Sequence, residues 1–421
     1  SLLPVDWDAT TAGKATLGKN NMRINRIMAL AYKGKALLWA GSPLMNWVSG
    51  GSKEYNTELC KRAADAFGQA LALTESTNRY ELADFSEYND IFLLHNSSGK
   101  LNGVKESIFM ENIKDYSFRW RWNMVNDFRP QSIESSGIKS YPTANYVNYY
   151  GMQNGYPIND MTKADAESGY DPTHPWKNRD PRFYKTIMFD GVKWRNTGGA
   201  GGTAELFTGG RESEEANEKK GCFTAYMNSK LCPQLMNTFD GYKENNIMIL
   251  SLMRLADVYL MYAEATAVGY NSPKGKAATY SLTAEEALNK IRERAGVAPV
   301  LEKFLGSTAD FLSELRRERA VELSFEGFRF TDLRRWMLLT QYPYTLKTKI
   351  EFDRADPNNY NYDAPEENAI KNLREVVLIE RKYTDRHYWY PLPKRMLACM
   401  KGSTRIPDGN LDVLTNNDAK K

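Results

Sequence analysis

The chain has 421 residues, enough for two or three domains or one large domain with insertions, and long enough to bury a sizeable core. Its 42% hydrophobic and 26% charged residues are the proportions of a folded globular protein and exclude wholesale disorder. With 56 Lys and Arg against 52 Asp and Glu, the net charge is only +4, which argues against a nucleic-acid surface driven by bulk charge.

The 4 cysteines include no CxxC pair and do not form a disulfide scaffold. Cys222 and Cys232 lie close enough in sequence to bridge, but isolated buried thiols fit the spacing better. His95, His174 and His387 are too dispersed for a zinc site. No apolar run approaches the ~20 residues of a membrane helix; the best, Ile247 to Met253, stops at Arg254. Ser1 to Asp6 lack the basic start and apolar stretch of a signal peptide. The sequence therefore reads either as cytosolic or as starting after processing.

In chain order, the first element is a helix over 24–45. Ile24, Ile27, Met28, Leu30, Ala31, Leu37, Leu38 and Trp39 recur with helical period, while Ala29, Gly34, Ala36 and Ala40 permit close helix approach. Ser42-Pro43 closes it, and Ser49 to Ser52 make a turn. A second helix over 56–73 carries Ala63, Phe67 and Ala70 at the spacing of a tetratricopeptide repeat. The stretch 100–245 differs, being rich in Gly, Pro, Asn and Tyr, with turn dipeptides such as Asn154-Gly155 and Asp190-Gly191. Within it, 196–221 reads as a mobile exposed loop. Helical period returns over 250–267, with Leu255, Ala256 and Tyr259, and over 283–295, with Ala284, Leu288 and Ile291. Further helices are expected over 308–324 and 331–340. This predicts a helical scaffold at 1–99, an irregular aromatic-rich lobe at 100–245, and a second scaffold portion with a tail at 246–421.

The search for catalytic motifs is negative. There is no GxSxG, HExxH or strand-linked GxGxxG, and Ala277 follows Gly275-Lys276 where a phosphate-binding loop needs a hydroxyl. Carboxylates are too numerous for a glycosidase pair to stand out. No catalytic residue and no cofactor are expected. Asp353, Asp356, Asn358, Asn359, Asn361 and Asp363 gather oxygens without the EF-hand spacing, so a solvated loop is preferred over a calcium site.

The most informative pattern is Tyr116-Ser117-Phe118-Arg119-Trp120-Arg121-Trp122-Asn123, with an aromatic at every second position. In an extended chain, period two puts the four rings on one face. Flat rings beside Arg119, Arg121 and Asn123 donors suit ligands with apolar faces and polar edges, as sugars have. A core strand with solvated arginines fits the same pattern. Stacking of single-stranded nucleic acid is disfavoured by the near-neutral charge.

Residues 253–266 (MRLADVYLMYAEAT), 288–296 (LNKIRERAG) and 315–336 (LRRERAVELSFEGFRFTDLRRW) closely resemble the signature of the SusD/RagB family. Segments 28–44, 142–150 (PTANYVNYY), 175–187 (PWKNRDPRFYKTI) and 388–396 (YWYPLPKRM) match in family order. The resemblance implies a mainly α fold, a SusD-like superhelix of tetratricopeptide-like pairs carrying an irregular ligand-binding lobe. It further implies a non-catalytic outer-membrane lipoprotein that captures glycans for a SusC-like TonB-dependent transporter. Some relatives take peptides instead, and a protein-interaction scaffold is the reading from another class. The family's lipidated cysteine is not present in this sequence. On the same resemblance, ligand contacts centre on Trp120 and Trp122, with Tyr116 and Phe118 extending the platform. Glu318, Arg319, Glu322, Glu326, Arg329, Asp332 and Arg335 are expected to form a fold-determining charge network around Phe325, Phe328 and Trp336.

Overall fold

The structure is a computed structural model and describes residues 2–20, 23–94, 104–110, 126–130, 139–196, 202–214, 220–232, 234, 236–241 and 247–390. The first helix, α1 (Arg26–Gly41), starts where the Asn25 side chain accepts the Met28 N–H at 2.9 Å. Ile24 stays outside it and exposed. α1 ends at the expected Ser42-Pro43, where Ser42 is extended at ψ 155°, but Pro43 also opens a new helix. It occupies the first turn of α2 (Pro43–Gly50), where its missing N–H would have had no partner in any case. Gly51, at φ 74°, then closes α2. Helix α3 (Thr57–Thr77) is capped by Asn56 and packs on α1. The two approach closely because Gly34 has no side chain: a Cβ there would lie 2.6 Å from the buried Phe67 ring.

The C-terminal helices complete this scaffold. Helix α4 (Leu255–Gly269) is buried along its whole length between α3, α5 (Ala284–Ala295) and α6 (Thr308–Glu322). A Thr283/Glu286 capping box opens α5, and Gly296 at φ 72° ends it. Helical period was expected from residue 250, but Ser251–Arg254 form a strand, β2, antiparallel to β1 (Ser107–Met110). Ser251 and Met253 point inward while Leu252 is exposed, so local alternation prevails over the helical pattern that follows. Helix α7 (Phe328–Arg335) starts earlier than the expected 331, because Gly327 takes φ 87° and begins the turn.

A second apolar cluster gathers the middle stretch around Trp176, Phe183, Phe189, Trp194 and Tyr226. Trp176 and Phe183 both stack on Phe189, at 5.0 and 5.2 Å between ring centroids. Gly155 and Gly191 take φ 88° and 82° at the expected turns. The described part of 196–221 is not a free loop. Ala204, Leu206 and Glu212 are buried, and bridges Lys193↔Thr203 and Ser213↔Cys222 pin the segment to its neighbours. A hairpin not foreseen from sequence, β3 (Leu346–Arg354) with β4 (Ile370–Glu380), lays Ile350, Phe352 and Ile370 against this cluster. The Asp/Asn-rich loop of 353–367 joins its strands.

Candidate functional site

Where the two apolar clusters meet, the chain buries charge. Arg254, the residue preceding α4, donates to Glu106 at 2.6 Å, Glu322 at 2.7 Å and Glu326 at 2.8 Å. Lys230 reaches Glu326 at 2.8 Å, and Arg294 links Glu106 at 3.0 Å to Glu322 at 2.5 Å. Arg182 joins Asp180 at 2.7 Å, Glu318, and Glu322 at 3.0 Å. Arg292 continues the network to Glu318 and Glu314. A second chain runs Asp257–Arg319–Asp332–Arg335–Glu264 with contacts of 2.9, 2.9, 2.8 and 2.5 Å, and Trp336 Nε1 donates to Glu264 at 2.9 Å.

The electrostatics follow from this pairing. Burial opposes ionisation of Glu322, but Arg294, Arg254 and Arg182 outweigh it and hold the carboxyl well below its usual range. Burial pulls the Lys230 ammonium down to about 8 despite Glu326. These groups are shut away from solvent. Segments 175–187, 253–266, 288–296 and 315–336, singled out by resemblance, each contribute charges here. Arg329 departs from the expected network: its guanidinium lies over the rings of Tyr149 at 4.8 Å and Tyr344 at 5.4 Å. Glu106, Asp180, Lys230 and Arg254 were not foreseen, because the network that holds them joins distant segments. The available signal was Asp257 and Glu264, carboxylates set inside the most apolar helical run.

The expected ligand residues Tyr116, Phe118, Arg119, Trp120, Arg121, Trp122 and Asn123 lie outside the described residues. The chain on either side is well fixed. β1 leads towards them with Met110 paired to Ser251, directly before α4. After them, Phe128 packs with Phe92, Leu231 and Met236, and the buried Arg129 donates to Asn228 O at 2.7 Å and Cys232 O at 2.6 Å.

Among the described residues, further ring-and-guanidinium surfaces offer the same chemistry. Tyr362, 45% exposed, sits 4.9 Å from Tyr360, whose face is covered by Arg354 at 3.9 Å. Arg354 is itself held by Asp190 at 2.7 Å. Phe330 and Tyr390 lie 6.2 Å apart, with the Arg334 guanidinium 4.1 Å from the Tyr390 ring. Sequence period does not reveal these groupings, since their members are brought together only by folding. In the 353–367 loop, Asp356 accepts from Asn358 N at 3.2 Å, and Asn361 accepts from Asp363 N at 3.0 Å. These oxygens serve the loop's own backbone, an Asx-turn arrangement. Among the described residues no group of three or more His, Cys, Asp or Glu is placed to hold a metal, and no helix is long and apolar enough to cross a membrane. Cys60, Cys222 and Cys232 are buried free thiols.

Packed helix pairs around a buried ionic core, bearing an irregular aromatic-rich stretch, define a SusD-like architecture. A SusD-like protein from Bacteroides fragilis superposes with a TM-score of 0.64 at 21% identity, covering 94% of this chain and 66% of that one. A SusD-like carbohydrate binding protein from the same organism superposes at 0.59 and 20% identity, with the same two coverages of 94% and 66%. The chain thus spans about two thirds of the length of these relatives. The family model described as the SusD family matches residues 105–407, and the chain belongs to that family. The chain matches no curated protein.

Proposed function

We propose that the protein captures oligosaccharide or polysaccharide at the cell surface, without cleaving it, and delivers it to a SusC-like TonB-dependent outer-membrane transporter. Membership of the SusD family carries the reading. It is supported by the fold shared with a protein described as carbohydrate binding. In this reading an N-terminal lipid outside the sequence anchors the protein to the outer membrane. The ligand platform is the ladder of Tyr116, Phe118, Trp120 and Trp122, with Arg119, Arg121 and Asn123 as donors to hydroxyls.

A glycan array run beside a peptide panel tests the reading. Saccharide binding is expected; tight peptide binding with no saccharide binding would replace it with a peptide-capturing role. Each stacked ring contributes ~1–3 kcal/mol by analogy with base–aromatic contacts, so Trp120→Ala or Trp122→Ala should weaken binding roughly five- to a hundred-fold with an unchanged melting temperature. Variants that unfold instead would make the ladder a core strand. Pull-down from outer membranes should recover a TonB-dependent transporter, and its absence would remove the delivery step.

A further inference from the structure

The base of the hairpin concentrates positive charge without a counterion. Lys347 pairs across the strands with Ile379, and Arg381 N donates to Thr345 O at 3.0 Å. Lys347 and Arg381 are therefore diagonal neighbours on one face of the hairpin. Arg329 arrives from the first turn of α7, its guanidinium over Tyr149 and Tyr344. Arg381 donates to the Tyr383 hydroxyl at 2.9 Å. Three other basic residues of the hairpin have carboxylate partners: Lys349 has Glu351 at 2.7 Å, Arg354 has Asp190 at 2.7 Å, and Arg374 has Glu351 at 2.5 Å. Among the described residues, Arg329, Lys347 and Arg381 form no ion pair. Lys347 is half-buried, and burial together with Arg381 and Arg329 lowers its ammonium pKa to about 8. Like charges held together near an apolar wall repel one another, and an anion placed between them relieves that repulsion.

We propose that Arg329, Lys347 and Arg381, walled by Tyr149, Tyr344 and Tyr383, form a subsite for the carboxylate or sulfate group of an acidic glycan. The guanidinium and ammonium donors match such oxyanions, and the exposed parts of the half-buried tyrosine rings suit the sugar ring that carries the group. The inference rests on the glycan-capture reading and narrows its substrate class to chains bearing uronate or sulfate.

Native affinity electrophoresis tests it with polygalacturonic acid, alginate and chondroitin sulfate on one side, and starch, galactan and mannan on the other. The intact protein should be retarded by at least one acidic polysaccharide more than by any neutral one, and less so as salt rises. Lys347→Met and Arg381→Gln should each weaken that binding roughly ten-fold or more, the loss of one charge-assisted contact, with the melting temperature kept. If Lys347→Met fails to fold, the exposed Arg381→Gln decides. Acidic chains bound no better than neutral ones, or bound equally by both variants, overturn the subsite while a bound neutral glycan leaves capture standing. Binding of no glycan at all removes both. Sedimentation with phosphatidylglycerol vesicles, lost in the variants, would make the basic cluster a lipid contact and overturn the proposal.

Discussion

Arg254 holds three carboxylates at once, and none of the four groups reaches solvent. Deleting its charge strands part of Glu106, Glu322 and Glu326 in a medium that cannot solvate them. Arg254→Met should therefore cost about 3–5 kcal/mol, read from the urea midpoint and slope. A loss below about 1 kcal/mol would mean that the remaining cations, Arg182, Arg294 and Lys230, satisfy the cluster alone. The same pairing sets the acid limit of the fold. Burial pushes the Glu314 carboxyl up, but Arg317 and Arg292 outweigh it and hold it at about 2, against 4.5 for the free side chain. Glu322, Glu326 and Glu264 are lowered in the same way. Stability from groups lowered on folding is fully present above the unfolded pKa and is lost as pH falls through the folded one. The melting temperature should thus hold down to about pH 4.5 and decline from there towards 2. A decline beginning near pH 6 would point away from these carboxylates. Burial also raises the Cys60 and Cys222 thiols, to about 12 and about 11. Iodoacetamide at pH 8 should leave the peptides carrying them unmodified until urea unfolds the chain, as mass spectrometry would show.

At the scale of elements, the contact of α1 with α3 is the most sensitive to volume. Gly34→Ala would gain helix propensity of about 1 kcal/mol but drive a methyl into a Phe67 ring that is itself fully buried. The net effect should be destabilising by about 1–3 kcal/mol, and a raised melting temperature would show that α1 can slide outward. Helices with both a period and a cap were legible: α3 with Asn56, α5 with its Thr283 capping box, α6 with Ser307. Legibility failed where one residue has two meanings. Pro43 reads as a stop, yet it is also the best first residue of a helix. β3 was missed because Lys347, Lys349, Glu351 and Asp353 alternate with a buried face that begins on Thr348, so its apolar half is short. Leu252 lent an apolar residue to the helical count before α4, although the strand points it outward.

For the whole molecule, the order of the motif segments carried the family and the fold, but their physical reason was hidden in the sequence. Arg182, Arg254 and Glu322 come from three separate segments, and only the folded chain shows the two guanidinium groups neutralising the carboxylate. The charge network was half legible, because Glu318 through Arg335 lie within one signature, whereas Glu106 has no neighbour that announces it. The proposed ligand platform is legible only as a period of rings from Tyr116 to Trp122. Which face meets a sugar depends on contacts that period does not encode. The grouping of Arg329, Lys347 and Arg381 was not legible at all, since its residues are joined by a hairpin register and a helix start. Glycan capture without cleavage is the central claim. Calorimetric titration of the best glycan from the array into the wild type and Trp120→Ala, with the recovered ligand then sized by chromatography, tests it most directly. Saturable binding by the wild type, weaker binding by the variant and a ligand recovered at its original length are expected. No saturable binding to any saccharide, or a ligand recovered shortened, would contradict it.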